Sequence, residues 1–154
     1  MQRNGRTVPL SVDHKPNRPD EMRRISSLGG KVTFKNIPRV EGILAVSRAL
    51  GDMKLHPFVT CEPEFLSRGI ETGDLFMVMA SDGLWDVMSN EDVGKFVHKK
   101  YLNFSRESAK GTSSKNYYKQ FVYIAKQLCE EASILGSTDN ITVQVIDLST
   151  PTES

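Results

Sequence analysis

Leu75 to Ala80 is an unbroken run of six apolar residues, Leu-Phe-Met-Val-Met-Ala, and it stops abruptly at Ser81-Asp82-Gly83. A half-solvated strand would alternate apolar and polar positions, so such a run reads as a strand buried on both faces. At its mouth stands a carboxylate, Asp82, beside a glycine that permits a tight turn. Asp86 follows four residues later, on the same side if the turn leads into a helix. A rigid strand that delivers acids to its end suits a hard cation such as Mg²⁺ or Mn²⁺. The plainer alternative is that Asp82 only caps the next helical turn.

A length of 154 residues fits one domain with a core that needs no staples. With 38% hydrophobic and 25% charged residues, wholesale disorder is not expected. A net charge of +1 gives no mandate for nucleic acid or membrane, and the basic residues are not interleaved with aromatics as on a nucleic-acid platform. No apolar run approaches the roughly 18 residues of a membrane helix, and the start is no signal peptide. Cys61 and Cys129 lack the spacing of a zinc site or a disulfide framework, so reduced thiols and a cytoplasmic or nuclear location are expected. Charge is uneven along the chain. Residues 1–60 carry eleven Lys/Arg against five Asp/Glu, the remainder nine against fourteen. A basic front and an acidic back would suit a phosphorylated substrate and a cation, although such segregation is more often solvated surface.

Taken in order, Arg3-Asn4-Gly5-Arg6 reads as a hairpin turn with Thr7 to Leu10 as the returning strand, so the chain is expected to start inside a domain. After a proline-rich loop, Asp20 is placed as the cap of a helix over 21–28 with Met22, Ile25 and Leu28 inward and Gly29-Gly30 as its stop. Strands are expected over 31–34, 39–46 and 59–65. Ser89-Asn90-Glu91-Asp92 resembles a capping box for a helix ending near Tyr101, with Val93, Phe96 and Val97 inward. Residues 103–116, polar and small, read as a mobile insertion without core. A helix over about 117–135 follows, with Tyr118, Phe121, Val122, Ala125, Leu128 and Ala132 at helical spacing and Gly136 as its stop. Ile141 to Ile146 alternates as a strand, and residues 149–154 read as a disordered tail.

Asp139 repeats the theme of Asp82 in mirror order, an acid at the entrance of a strand. If the two strands are adjacent and antiparallel, their carboxylates meet at one rim although they stand 57 positions apart. Asp-Asn before a strand is also ordinary turn chemistry. His14, His56 and His98 have no telling partners, Ser47 lacks a nucleophile elbow, and Trp85 is most simply a core anchor.

Five signatures fall in order: Asp13-His14-Lys15-Pro16, Arg24-Ile25 with Gly29-Gly30, Leu44-Ala45-Val46-Ser47-Arg48-Ala49-Leu50-Gly51-Asp52, Ala80-Ser81-Asp82-Gly83-Leu84-Trp85-Asp86 and Ser137-Thr138-Asp139-Asn140-Ile141-Thr142. In that order and spacing the chain, over residues 3–148, resembles the metal-dependent protein phosphatases, the protein phosphatase 2C or PPM-type family. The resemblance implies an α+β fold, part of a four-layer α-β-β-α sandwich of antiparallel sheets flanked by helices. It implies two Mg²⁺ or Mn²⁺ ions and a third, weaker one, with direct attack of a metal-activated water on phosphoserine or phosphothreonine. By motif, Asp82 and Asp139 look like ligands of a core ion, Asp86 like a contributor to the weaker site, and Asn140 like a fixer of the Asp139 turn. Residues 16–43 correspond to a flap beside the site, whose Arg18, Arg23, Arg24, Lys31, Lys35 and Arg39 would meet acidic phosphopeptides.

The family also carries a phosphate-binding arginine, a Glu-Asp pair and an Asp-Gly-His-Gly-Gly loop, none of which occurs in these residues. The expectation is the C-terminal half of a catalytic domain, truncated in mid-sheet, with an exposed edge open to self-association. Its turnover alone should fall by orders of magnitude, since each lost electrostatic contact is worth roughly 3–4 kcal/mol. A reading from another class is a non-catalytic relative that binds the partners or substrates of full-length phosphatases.

Overall fold

The computed structural model describes residues 1–108 and 114–149. In chain order the elements are β1 (Gln2–Arg3), β2 (Arg6–Thr7), α1 (Pro19–Ser27), β3 (Val32–Phe34), β4 (Pro38–Val40), β5 (Asp74–Ala80), α2 (Asp82–Trp85), α3 (Asn90–Ser108), α4 (Ser114–Ile134) and β6 (Val143–Asp147). They fall into two compact units, one of Met1–Leu10 with Arg68–Ser154 and one of Ser11–Ser67.

The first unit is a four-stranded antiparallel sheet in the order β2-β1-β5-β6 with helices packed on it. Asn4-Gly5, both at positive φ, make the expected hairpin, although its returning strand closes after Thr7 rather than running to Leu10. The helices supply Leu84, Val93, Val97, Phe121, Ile124, Leu128 and Ala132, which with Met88 from the turn between α2 and α3 close over Phe76, with Val78 and Ala80 beside it. The central strand is therefore not buried on both faces. Met77 lies outside the core cluster and Met79 is 52% exposed. Methionine is apolar whichever way it points, so the run conceals the period of two that a half-open strand carries.

The helices also depart from the reading in places. Ser89 and Asp92 form the capping box: the Asp92 amide donates to Ser89 Oγ at 3.2 Å and the Ser89 amide to Asp92 Oδ2 at 3.3 Å. The helix it opens does not stop near Tyr101 but runs to Ser108, and α4 begins at Ser114. Of the stretch read as an insertion, residues 103–108 and 114–116 are thus helical, and 109–113 lie outside the described residues, as do 150–154 of the tail. On α4, Ile124 takes the inward place given to Val122, which is 71% exposed. The side chain of Tyr118 lies outside the described residues.

The second unit centres on Ile25, Val40, Leu55 and Val59, with α1 beside the β3–β4 hairpin. Helix α1 starts at Pro19, because proline fixes a helical φ and lacks only a donor that the first turn leaves unpaired. Asp20 is consequently inside the first turn and not its cap; its carboxylate pairs with Arg18 at 2.7 Å. Met22 and Leu28 are exposed, and the helix buries Glu21 with Ile25 instead. Residues 59–65 form no strand; Thr60 makes an isolated bridge to Arg48. The strand expected over 39–46 ends at Val40, where the backbone turns through Glu41 and Gly42 at positive φ.

Candidate metal centre

Two loops meet at one end of the sheet. Strands β5 and β6 are antiparallel neighbours in the register Ala80↔Val143, so the residues leaving β5 face those entering β6. The Ser81 amide continues the ladder to the Thr142 carbonyl at 3.0 Å. The Ser81 hydroxyl donates to the Asn140 carbonyl at 2.9 Å and accepts from the Thr142 amide at 3.0 Å. Asp82 then opens α2 and Asp86 follows it, its amide bonded to the Asp82 carbonyl at 2.8 Å. Trp85 does more than anchor the core, because its indole N–H donates to the Ala80 carbonyl at 3.0 Å and folds α2 back on the strand end.

The facing loop is set by the end of α4. Gly136 at φ +94 lets the Ser137 amide reach back to the Ala132 carbonyl, closing the helix in a Schellman-type turn. That turn delivers the Ser137 hydroxyl to the Gly83 carbonyl at 2.6 Å. Gly83 itself must lack a side chain: a Cβ there would stand 2.5 Å from the Asn140 carbonyl oxygen. Asp139 follows, with Oδ1 accepting the amide of the next residue, Asn140, at 2.6 Å. Asn140 serves the rim through its backbone.

The backbones bearing Asp82 and Asp139 are therefore stitched together, and both side chains, like that of Asp86, are exposed. Their donor chemistry fits Mg²⁺ or Mn²⁺: hard carboxylate oxygens that reach water, suited to a small cation that keeps several of its own waters. Among the described residues no group of three or more His, Cys, Asp or Glu side chains closes into a complete set. The rim offers part of a coordination shell.

In the second unit, three of the basic residues expected to meet substrate, Arg18, Arg24 and Arg39, are committed elsewhere. Glu21 is buried, and Arg48 reaches its carboxylate at 2.6 Å and Arg24 at 2.9 Å. Burial pushes the Glu21 carboxyl up, but the hydrogen bonds from Arg48 and Arg24 outweigh it and hold the group down at about 2. Arg18 binds Asp20 and Glu64, and Glu64 also takes His14 at 2.9 Å, so His14 is not without a partner. Arg39 is held by the Ile43 carbonyl. Arg23, Lys31 and Lys35 make no ion pair among the described residues. Sequence reasoning missed this network, and it missed Ser81, Gly83 and Ser137 as the parts that join the two acids; the signal was a serine flanking the aspartate in both motifs.

Residues 1–141 match the family described as Protein phosphatase 2C. The chain is 43% identical over 154 residues to a probable protein phosphatase 2C 24 of Arabidopsis thaliana, covering 95% of this chain and 40% of that relative. It is 45% identical over 148 residues to protein phosphatase 2C 53 of Oryza sativa subsp. japonica, covering 92% of this chain and 33% of the relative. Among solved structures, a C. elegans sex determining protein superposes with a TM-score of 0.71 at 29% identity, over 90% of this chain and 31% of the other. A phosphatase from a pathogenic strain of Toxoplasma gondii gives a TM-score of 0.65 at 27% identity, over 91% and 41%. The chain spans 40% or less of the length of these curated relatives. With sequence and fold agreeing along nearly its whole length, the chain belongs to the protein phosphatase 2C family.

Proposed function

We propose that the domain to which these residues contribute hydrolyses phosphoserine and phosphothreonine in proteins, with Asp82 and Asp139 as ligands of Mg²⁺ or Mn²⁺ and Asp86 as a contributor to a further, weaker ion. The observation that supports this most is the joining of the 81–83 and 139–142 backbones across β5 and β6 in a chain of this family. Such ions, when bound, acidify water and offset the charge on phosphoryl oxygens. The chain's own contribution is placement: Asp82 follows the end of β5 that is paired with β6 at Ala80↔Val143, and Asp139 stands on a turn pinned by the end of α4. In the second unit, which contains the proposed flap over 16–43, the uncommitted Arg23, Lys31 and Lys35 favour an acidic, phosphorylated segment. The 154 residues alone are near-inactive in this reading, because the family's phosphate-binding arginine and bridging-aspartate loop are not among them.

The test is Mn²⁺-dependent phosphate release from a phosphothreonine peptide, by the isolated chain and by a protein in which it is joined to the rest of a phosphatase domain. The joined protein should turn over and Asp82→Ala should lower its rate by about 10²–10³-fold, the scale of losing one electrostatic contact to the reacting group. Brisk turnover by the isolated chain would overturn its assigned incompetence. Phosphopeptide capture without turnover, even in the joined protein, would favour the binding reading.

A further inference from the structure

We infer that Ser81 is a positioning residue that sets the spacing of Asp82 and Asp139, with Ser137 as its counterpart on the other side of Gly83. The inference rests on the metal-ligand reading of the two acids. Among the described residues neither carboxylate is held by a bond to the opposite loop; there Asp139 accepts the amide next to it, and Asp82 holds its place through its backbone. Beyond the ladder bond from the Ser81 amide to the Thr142 carbonyl, what ties the loops is a pair of hydroxyls. Ser81 Oγ is both donor and acceptor across the rim, to the Asn140 carbonyl and from the Thr142 amide, one residue before Asp82 and one to three residues after Asp139. Ser137 Oγ donates in the reverse direction, from two residues before Asp139 to the carbonyl one residue after Asp82.

Each aspartate is thus bracketed by a link to the other's loop, and Gly83, where a Cβ would meet the Asn140 carbonyl oxygen at 2.5 Å, lets the two backbones lie that close. Alanine at 81 would leave the Asn140 carbonyl without its donor and the Thr142 amide without its acceptor. The rim would then be held only by the Ser81 amide–Thr142 carbonyl bond and the Ser137–Gly83 bond, and a pair of carboxylates held less firmly binds a small cation less tightly. Threonine keeps the hydroxyl and so keeps the clamp.

The experiment is Mn²⁺ titration of a protein in which the 154 residues are joined to the rest of a phosphatase domain, followed by the electron paramagnetic resonance of the free ion, for the wild type, Ser81→Ala, Ser81→Thr, Ser137→Ala and Asp82→Asn. Thermal unfolding without metal is recorded for each. Ser81→Ala should raise the Mn²⁺ Kd by about 10–100-fold, the usual effect of removing a partner that orients a ligand. Ser81→Thr should return it close to the wild-type value, and Ser137→Ala should weaken binding in the same direction, which keeps the test open if Ser81→Ala does not fold. Wild-type Mn²⁺ affinity in a folded Ser81→Ala or, failing that, Ser137→Ala overturns the clamp, and the metal reading survives if Asp82→Asn has lost binding. Should the wild type bind no Mn²⁺, or Asp82→Asn bind it unchanged, the metal reading falls and the clamp falls with it. A lower melting temperature with unchanged Kd marks the serines as merely structural, which also overturns the inference.

Discussion

Glu21 ties α1 to the loop that carries Ser47 and Arg48, and it does so as a carboxylate only 2% exposed between two guanidiniums. Glu21→Ala would leave Arg24 and Arg48 facing each other without a counter-charge. Breaking a buried pair in this way costs about 3–5 kcal/mol; the lower end is expected here because both arginines reach water. Urea unfolding should show the midpoint fall accordingly, and an unchanged midpoint would remove Glu21 from its central place in the second unit. Acid offers a second check. Glu21 titrates at about 2 against an ordinary 4.5, and Asp74, held down chiefly by its hydrogen bonds from Arg3, at about 2 against 3.8. Between those values the unfolded chain binds more protons than the folded one, so stability rises with pH there. The contribution is complete above about pH 5 and fades as pH falls towards 2. Because one acid lies in each unit, both units should weaken in the same window, seen as falling urea midpoints at pH 4 and pH 3 relative to pH 7.

Helix ends decide more here than helix middles. The Ser89–Asp92 box satisfies amides that the first turn of α3 leaves unpaired, and Ser89→Ala should lower stability by about 1 kcal/mol. Circular dichroism against urea would measure it; no loss would mean that packing of Val93 and Val97 alone holds this end of the helix. At the other extreme, the end of α4 is where local structure becomes site geometry, since its closing turn aims Ser137 at Gly83. The start of α3 was legible because a capping box is a short-range pattern of residue types. Its far end was not. Polar residues such as Asn103 and Ser105 to Ser108 look like loop in isolation, but a helix already nucleated and packed extends through them at little cost.

The first unit presents β2 and β6 as sheet edges and leaves Met79 open on the face of β5 away from the core cluster. Unpaired edges and open apolar faces favour association, so the isolated chain should self-associate with rising concentration in sedimentation velocity, and Met79→Glu should hold it closer to monomeric. A chain that stays monomeric throughout would refute this. In the sequence, the period of α4, the hairpin at Asn4-Gly5, the capping box and the two acid-bearing strand ends were all readable, because each depends on neighbours within a few residues. The same one-dimensional string identified the family through five ordered motifs. It did not reveal that the central strand has an open face, since a methionine reads the same on either side of a sheet. Nor did it reveal that Arg24 and Arg48 serve a buried glutamate, or that serine hydroxyls bind together loops 57 positions apart. Local propensity follows from adjacent residues, whereas burial, charge pairing and the distance between two carboxylates depend on which distant segments the fold brings side by side.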